Sequence, residues 1–107
     1  MDINYEFAKN IIRHGFESLN AMLDKHNPAL REEHGELAQL DFIKFSEEKR
    51  STGGHDVSIT ISFDFMDEIV EEPVHAEVEI EADELMFVPE YVAGLVYGKM
   101  LAEEGVL

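Results

Sequence analysis

The residues with the clearest chemical pattern lie in VHAEVEIEAD, positions 74–83. Val74, Ala76, Val78, Ile80 and Ala82 take one parity, and His75, Glu77, Glu79, Glu81 and Asp83 take the other. In a strand, alternate residues share a face about 6.6 Å apart, so the four acids form a line roughly 20 Å long. The surroundings extend it. Asp64, Asp67, Glu68, Glu71, Glu72, Glu77, Glu79, Glu81, Asp83 and Glu84 fall between positions 64 and 84 with no Lys or Arg among them. Duplex DNA carries one charge per roughly 1.7 Å, so the strand row alone is too sparse to imitate it. Folded back as a hairpin, the ten acids approach that density. Such an array attracts basic protein surfaces and cations and repels nucleic acid and anionic membranes. A surface shaped only for solubility intersperses both signs of charge. The opposing consideration is that apolar–acidic alternation also describes any half-exposed strand, and charge protects an edge strand from pairing with other chains.

Other reactive patterns are weak. His14, His26, His34, His55 and His75 show no H-E-x-x-H spacing, and a metal site needs three or four convergent ligands. His55-Asp56 follows Gly53-Gly54 and reads as part of a solvated loop. His75 stands among acids that raise an imidazole pKa, which makes it a spectator or a pH switch. No serine sits in a G-x-S-x-G elbow, STGG lacks the Walker lysine, and no EF-hand loop occurs. The chain is expected to bind rather than catalyse, with no cofactor and no metal.

Composition agrees with that expectation. The 107 residues hold 24 acids against 8 Lys and Arg, a formal net charge of −16. Lys99 is the only Lys or Arg after position 50, where 14 acids lie. With no cysteine, disulfides, thiolate metal sites and cysteine nucleophiles are excluded, and a reducing compartment fits. The beginning MDINYEFAKN has no basic segment followed by an apolar run, and no stretch reaches the roughly 20 apolar residues of a membrane span. The expectation is one soluble, cytoplasmic domain over residues 1–107.

The elements that must position these residues follow from periodicity. Ile3, Phe7, Ile11, Ile12, Phe16, Leu19, Met22 and Leu23 have helical spacing over 3–26, with Asp2 as the N-cap. Asn27, Pro28 and Gly35 frame a second, short helix. DFIKF at 41–45 is a strand, and SEEKRSTGGHD at 46–56 is a polar loop. In VSITISFDF, Val57, Ile59, Ile61, Phe63 and Phe65 share one face, with Ser58, Thr60, Ser62 and Asp64 on the other. MDEIVEEP joins it to the acidic strand as an antiparallel hairpin. A last helix begins at Pro89 and stops before Gly105. On it, Gly94, Gly98 and Ala102 recur every four residues and are read as a tight contact within the fold, with a dimer seam as the alternative. Glu103 and Glu104 at its negative end oppose the helix dipole.

The order α–(short α)–β–β–β–α predicts an α+β, two-layer sandwich. A three-stranded antiparallel sheet carries the helices on one face and leaves the other wet. Phe7, Ile11, Phe16, Leu19, Leu23, Ile59, Ile61, Phe63, Val78, Ile80, Val92, Leu95 and Val96 are expected in the core. The element order resembles that of a double-stranded-RNA-binding domain. Those modules hold phosphates with basic residues, however, and the last helix has a single Lys, so the likeness stops at topology. The functional expectation is a small acidic inhibitor or regulator, monomeric or homodimeric. It would dock the 64–84 hairpin on a basic, nucleic-acid-binding surface of a partner protein, touching neither nucleic acid nor membrane itself. Immunity proteins, antitoxins and phage-encoded DNA mimics work in this manner, and the chain resembles them in size and charge alone. The alternatives are a subunit of a homo-oligomer or larger phage-type assembly, and a small enzyme or metal-binding domain.

Overall fold

The structure is a computed structural model that describes residues 5–81 and 89–104. Helix α1 (Tyr5–His26) is followed by α2 (Pro28–His34), strands β1 (Ala38–Lys49), β2 (His55–Met66) and β3 (Pro73–Glu81), and helix α3 (Pro89–Glu103). The strands form one antiparallel sheet in the order β1-β2-β3. Both long helices cover the same face, α1 against β1 and α3 against β3. This is the α+β sandwich that the patterning predicts. None of the described helices is long and apolar enough to cross a membrane.

Periodicity explains the core. Alternate β2 residues Ile59, Ile61, Phe63 and Phe65 are buried, as are Ala76 and Ile80 of β3. Above them α1 buries Ala8, Ile11, Ile12, Phe16, Leu19 and Leu23, and α3 buries Val92, Val96 and Met100. The register pairs Ile59 with Ile80 and Ile61 with Val78, so the apolar parities of β2 and β3 coincide. Val78 and Leu95, expected inside the core, are half-buried and pack against its edge instead.

Three expectations need correction. Phe7 is 57% exposed rather than core. Tyr5 makes the aromatic contact from this end of α1, its ring 4.5 Å from that of Phe45, and the buried stripe begins at Ala8. The loop at 46–56 is shorter than its polarity suggests. Ser46–Lys49 and His55–Asp56 zip into the β1–β2 ladder, leaving a turn closed by the Arg50 N–H to Gly54 O bond at 3.0 Å. Gly53 and Gly54 there take φ of +90° and +86°, which favours glycine. Lastly, Gly94 and Gly98 face outward, with no atom within 4 Å of where a Cβ would stand. They sit two positions from Val92 and Val96, which a 100° helical step turns to the opposite face. The close helix contact is at Gly15 instead. A Cβ there would stand 2.8 Å from Val92 Cβ and 2.9 Å from the Pro89 carbonyl oxygen.

At α2 the expectation holds. Asn27 Oδ1 accepts the Leu30 N–H at 3.2 Å, Pro28 opens the helix, and Gly35 (φ +79°) donates its N–H to Arg31 O at 2.7 Å to end it. Asp2 and Gly105, read as capping residues, lie outside the described residues.

Candidate docking surface

The uncovered face of the sheet is built in three columns. β3 contributes His75, Glu77, Glu79 and Glu81. Across from them stand Asp64, Ser62, Thr60 and Ser58 of β2. Beyond these, Phe42, Lys44 and Ser46 of β1 pair with Ser62, Thr60 and Ser58. Hydroxyl residues therefore separate the acids from Lys44, and no like charges oppose each other across the β2–β3 ladder, where opposition destabilises. Glu77, Glu79 and Glu81 are all exposed. They form a rail along an edge strand, and Asp64 flanks it.

The rail continues into the turn between β2 and β3. Asp67 is buried here and does not face outward with the other acids. Its Oδ1 accepts the N–H groups of Ile69 at 2.7 Å and Val70 at 3.1 Å, while its backbone N–H and C=O close on Glu72 and Glu71. An Asp side chain that bonds the backbone two residues on fixes a turn, and this carboxylate is spent on doing so. Glu68, Glu71 and Glu72 are exposed around it. At the tip, Ile69 is 71% and Val70 58% exposed. Sequence reasoning passed over these two because they break no pattern; a bare IV pair between acids was the available signal. Asp83 and Glu84 lie outside the described residues.

Where rail and turn meet, His75 Nδ1 lies 2.8 Å from Asp64 Oδ1 and its Nε2 lies 3.1 Å from Ser62 Oγ. A register shift in β1 between Leu40 and Phe42 brings Asp41 to the same place. Donor atoms of Asp41, Asp64 and His75 all fall within 4.8 Å of one another. The hydrogen bond to Asp64 holds the His75 pKa above 6.5, opposed by desolvation and reinforced by the charges of Asp64, Asp41 and Glu77. A second convergence joins Glu33 and His34 of α2 to Glu71 of the turn. Local spacing could reveal neither group, because each draws its donors from separate elements.

The two acids at the end of α3 acquire roles. Glu103 pairs with Lys99 at 3.0 Å. Glu104 Oε1 accepts the Glu68 N–H at 3.5 Å, which ties the helix end to the turn. Burial raises the Glu104 pKa, the bond from Glu68 lowers it, and the charges of Asp67 and Glu68 raise it further.

Against protein-family models, curated proteins and solved structures, the chain has no match.

Proposed function

We propose that the chain is a small acidic binding protein that docks its β2–β3 hairpin on a basic groove of a partner protein, in the manner of a nucleic-acid mimic. One observation carries the reading. Glu68, Glu71, Glu72, Asp64, Glu77, Glu79 and Glu81 follow one continuous hairpin without an intervening Lys or Arg, and its locked tip exposes Ile69 and Val70. Acids of one sign steer association. An apolar anchor inside a charged rim is where binding energy concentrates. Expelling water from two aliphatic side chains is worth about 1.5–3 kcal/mol for each one fully buried.

The test compares three forms as tagged bait in a native-host lysate at low and moderate salt: the parent, Glu77→Gln/Glu79→Gln/Glu81→Gln, and Glu17→Gln/Glu32→Gln/Glu36→Gln. Each triple removes the same charge. The reading expects one basic protein to be captured in a salt-sensitive way by the parent and the control and to be lost from the rail variant. Equal loss from both triples would assign the effect to net charge and sink the hairpin. Once that partner is purified, Ile69→Ser/Val70→Ser is expected to speed its dissociation at least tenfold with little change in association.

A second reading, an assembly subunit, is favoured by the outer side of α3. YVAGLVYG at 91–98 carries no charge, and Gly94 and Gly98 leave a smooth, open strip against which a helix of a second copy packs closely. Sedimentation equilibrium decides it. A dimer that Gly98→Arg dissociates supports this reading, and a monomer at all concentrations removes it.

A further inference from the structure

We infer that Glu33, His34 and Glu71 form a binding site for a divalent first-row transition cation, with Zn²⁺ the best-fitting member. The site goes beyond the docking role and does not depend on it. The first observation is convergence. Nitrogen and carboxylate oxygens of these three residues lie within 4.8 Å of one another, contributed by the end of α2 and by the β2–β3 turn.

The second observation concerns His34 itself. Its side chain keeps 25% exposure, but the Nε2 atom is shut off from solvent and has no hydrogen-bond partner. The closest carboxylate oxygen is Glu33 Oε2 at 3.8 Å, too far for a hydrogen bond. Buried ring nitrogens are ordinarily satisfied, and an orphan asks for an explanation. A metal ion supplies one. In the tetrahedral geometry zinc prefers, Zn–N and Zn–O bonds of about 2.0–2.2 Å hold neighbouring ligand atoms roughly 3.4 Å apart. The 3.8 Å gap between His34 Nε2 and Glu33 Oε2 is close to that span, and rotation of the exposed Glu33 and Glu71 side chains draws the donors onto one ion.

The donor set selects the ion. One imidazole with two carboxylates suits zinc and its neighbours, whereas Mg²⁺ and Ca²⁺ prefer oxygen alone. Two carboxylates also balance the charge of a divalent ion. The backbone shape is consistent: Glu71 holds φ at +53°, a left-handed conformation uncommon for a residue with a side chain. Asp41, Asp64 and His75 offer the contrast. They converge equally, but both His75 nitrogens already have partners, in Asp64 and Ser62.

The test is calorimetric titration of the purified chain with ZnCl₂, with MgCl₂ as the comparison ion. The expected result is one saturable Zn²⁺ site, weakened at least tenfold in His34→Gln and in Glu71→Gln and unchanged in Asp64→Asn/His75→Gln. In the parent, ¹⁵N NMR is expected to show the His34 Nε2 resonance moving on Zn²⁺ addition. Glu71 is exposed, so its variant remains informative if His34→Gln does not fold, and the NMR readout needs no variant. Absence of saturable binding overturns the site. So does binding that survives in Glu71→Gln, binding that disappears with Asp64 and His75, or Mg²⁺ binding of equal strength.

Discussion

Asn20 does with one amide what a neighbouring strand does with two backbone groups. Its Nδ2 donates to Ala38 O at 2.7 Å, its Oδ1 accepts the Ala38 N–H at 3.0 Å, and Nδ2 also reaches Phe16 O at 3.0 Å. Ala38 is buried at the start of β1, so losing these bonds leaves two backbone groups without partners. Asn20→Ala is expected to cost about 2 kcal/mol, read from urea unfolding, and an unchanged midpoint would contradict that role. His75 belongs to the same scale. Its folded pKa is raised, chiefly by the bond to Asp64, so its favourable contribution is complete below the unfolded value of 6.5. That contribution is lost as pH rises through the folded value. His75→Gln is expected to flatten this part of the stability profile, and an NMR titration of the ring in Asp64→Asn is expected to fall back toward the ordinary range. Neither Asn20's grip on Ala38 nor Asp67's turn was legible in the sequence, because each depends on backbone groups that only the folded chain brings to the side chain.

Strand parity and helical period were legible where they are long. The faces of β2 and β3, the α2 cap at Asn27 and the burial of Val92 and Val96 follow from spacing, whereas Met100 joins the core unexpectedly and Leu95 stays half-buried. Glycines were harder, since spacing alone does not say which face of a helix meets its neighbour. The two sites now make opposite predictions. Gly15→Ala forces a methyl against Val92 and the Pro89 carbonyl, and overpacking of this kind costs about 1–3 kcal/mol. Gly94→Ala and Gly98→Ala meet open space and are each expected to stabilise α3 by about 0.5–1 kcal/mol through helix propensity. Thermal melts of the three variants separate the cases. Destabilisation by Gly94→Ala or tolerance of Gly15→Ala would reverse the assignment of faces.

The charge imbalance acts on the whole molecule. At a net charge of −16, self-repulsion opposes the compact state. Raising ionic strength from about 0.01 M to 0.15 M shortens the screening length from about 30 to 8 Å. The melting temperature at neutral pH is expected to climb over that range, most steeply for the parent and less for the rail triple, and a flat response would show that repulsion is negligible. Composition displays this property, although it does not show that the acids cluster on one hairpin while Asp67 turns inward. The contact of Gly15 with Val92 and Pro89 has a further consequence, for the order of assembly. The three-strand meander joins neighbours in the chain, whereas this contact joins the outermost helices in chain order and closes a loop far longer than either hairpin. Loop-closure entropy makes such contacts slow to form. During synthesis, α1 must therefore keep its apolar stripe uncovered on one side until α3 has been made. In that interval the nascent sheet has half a roof, and this is when the chain is most open to chaperones and to misassembly.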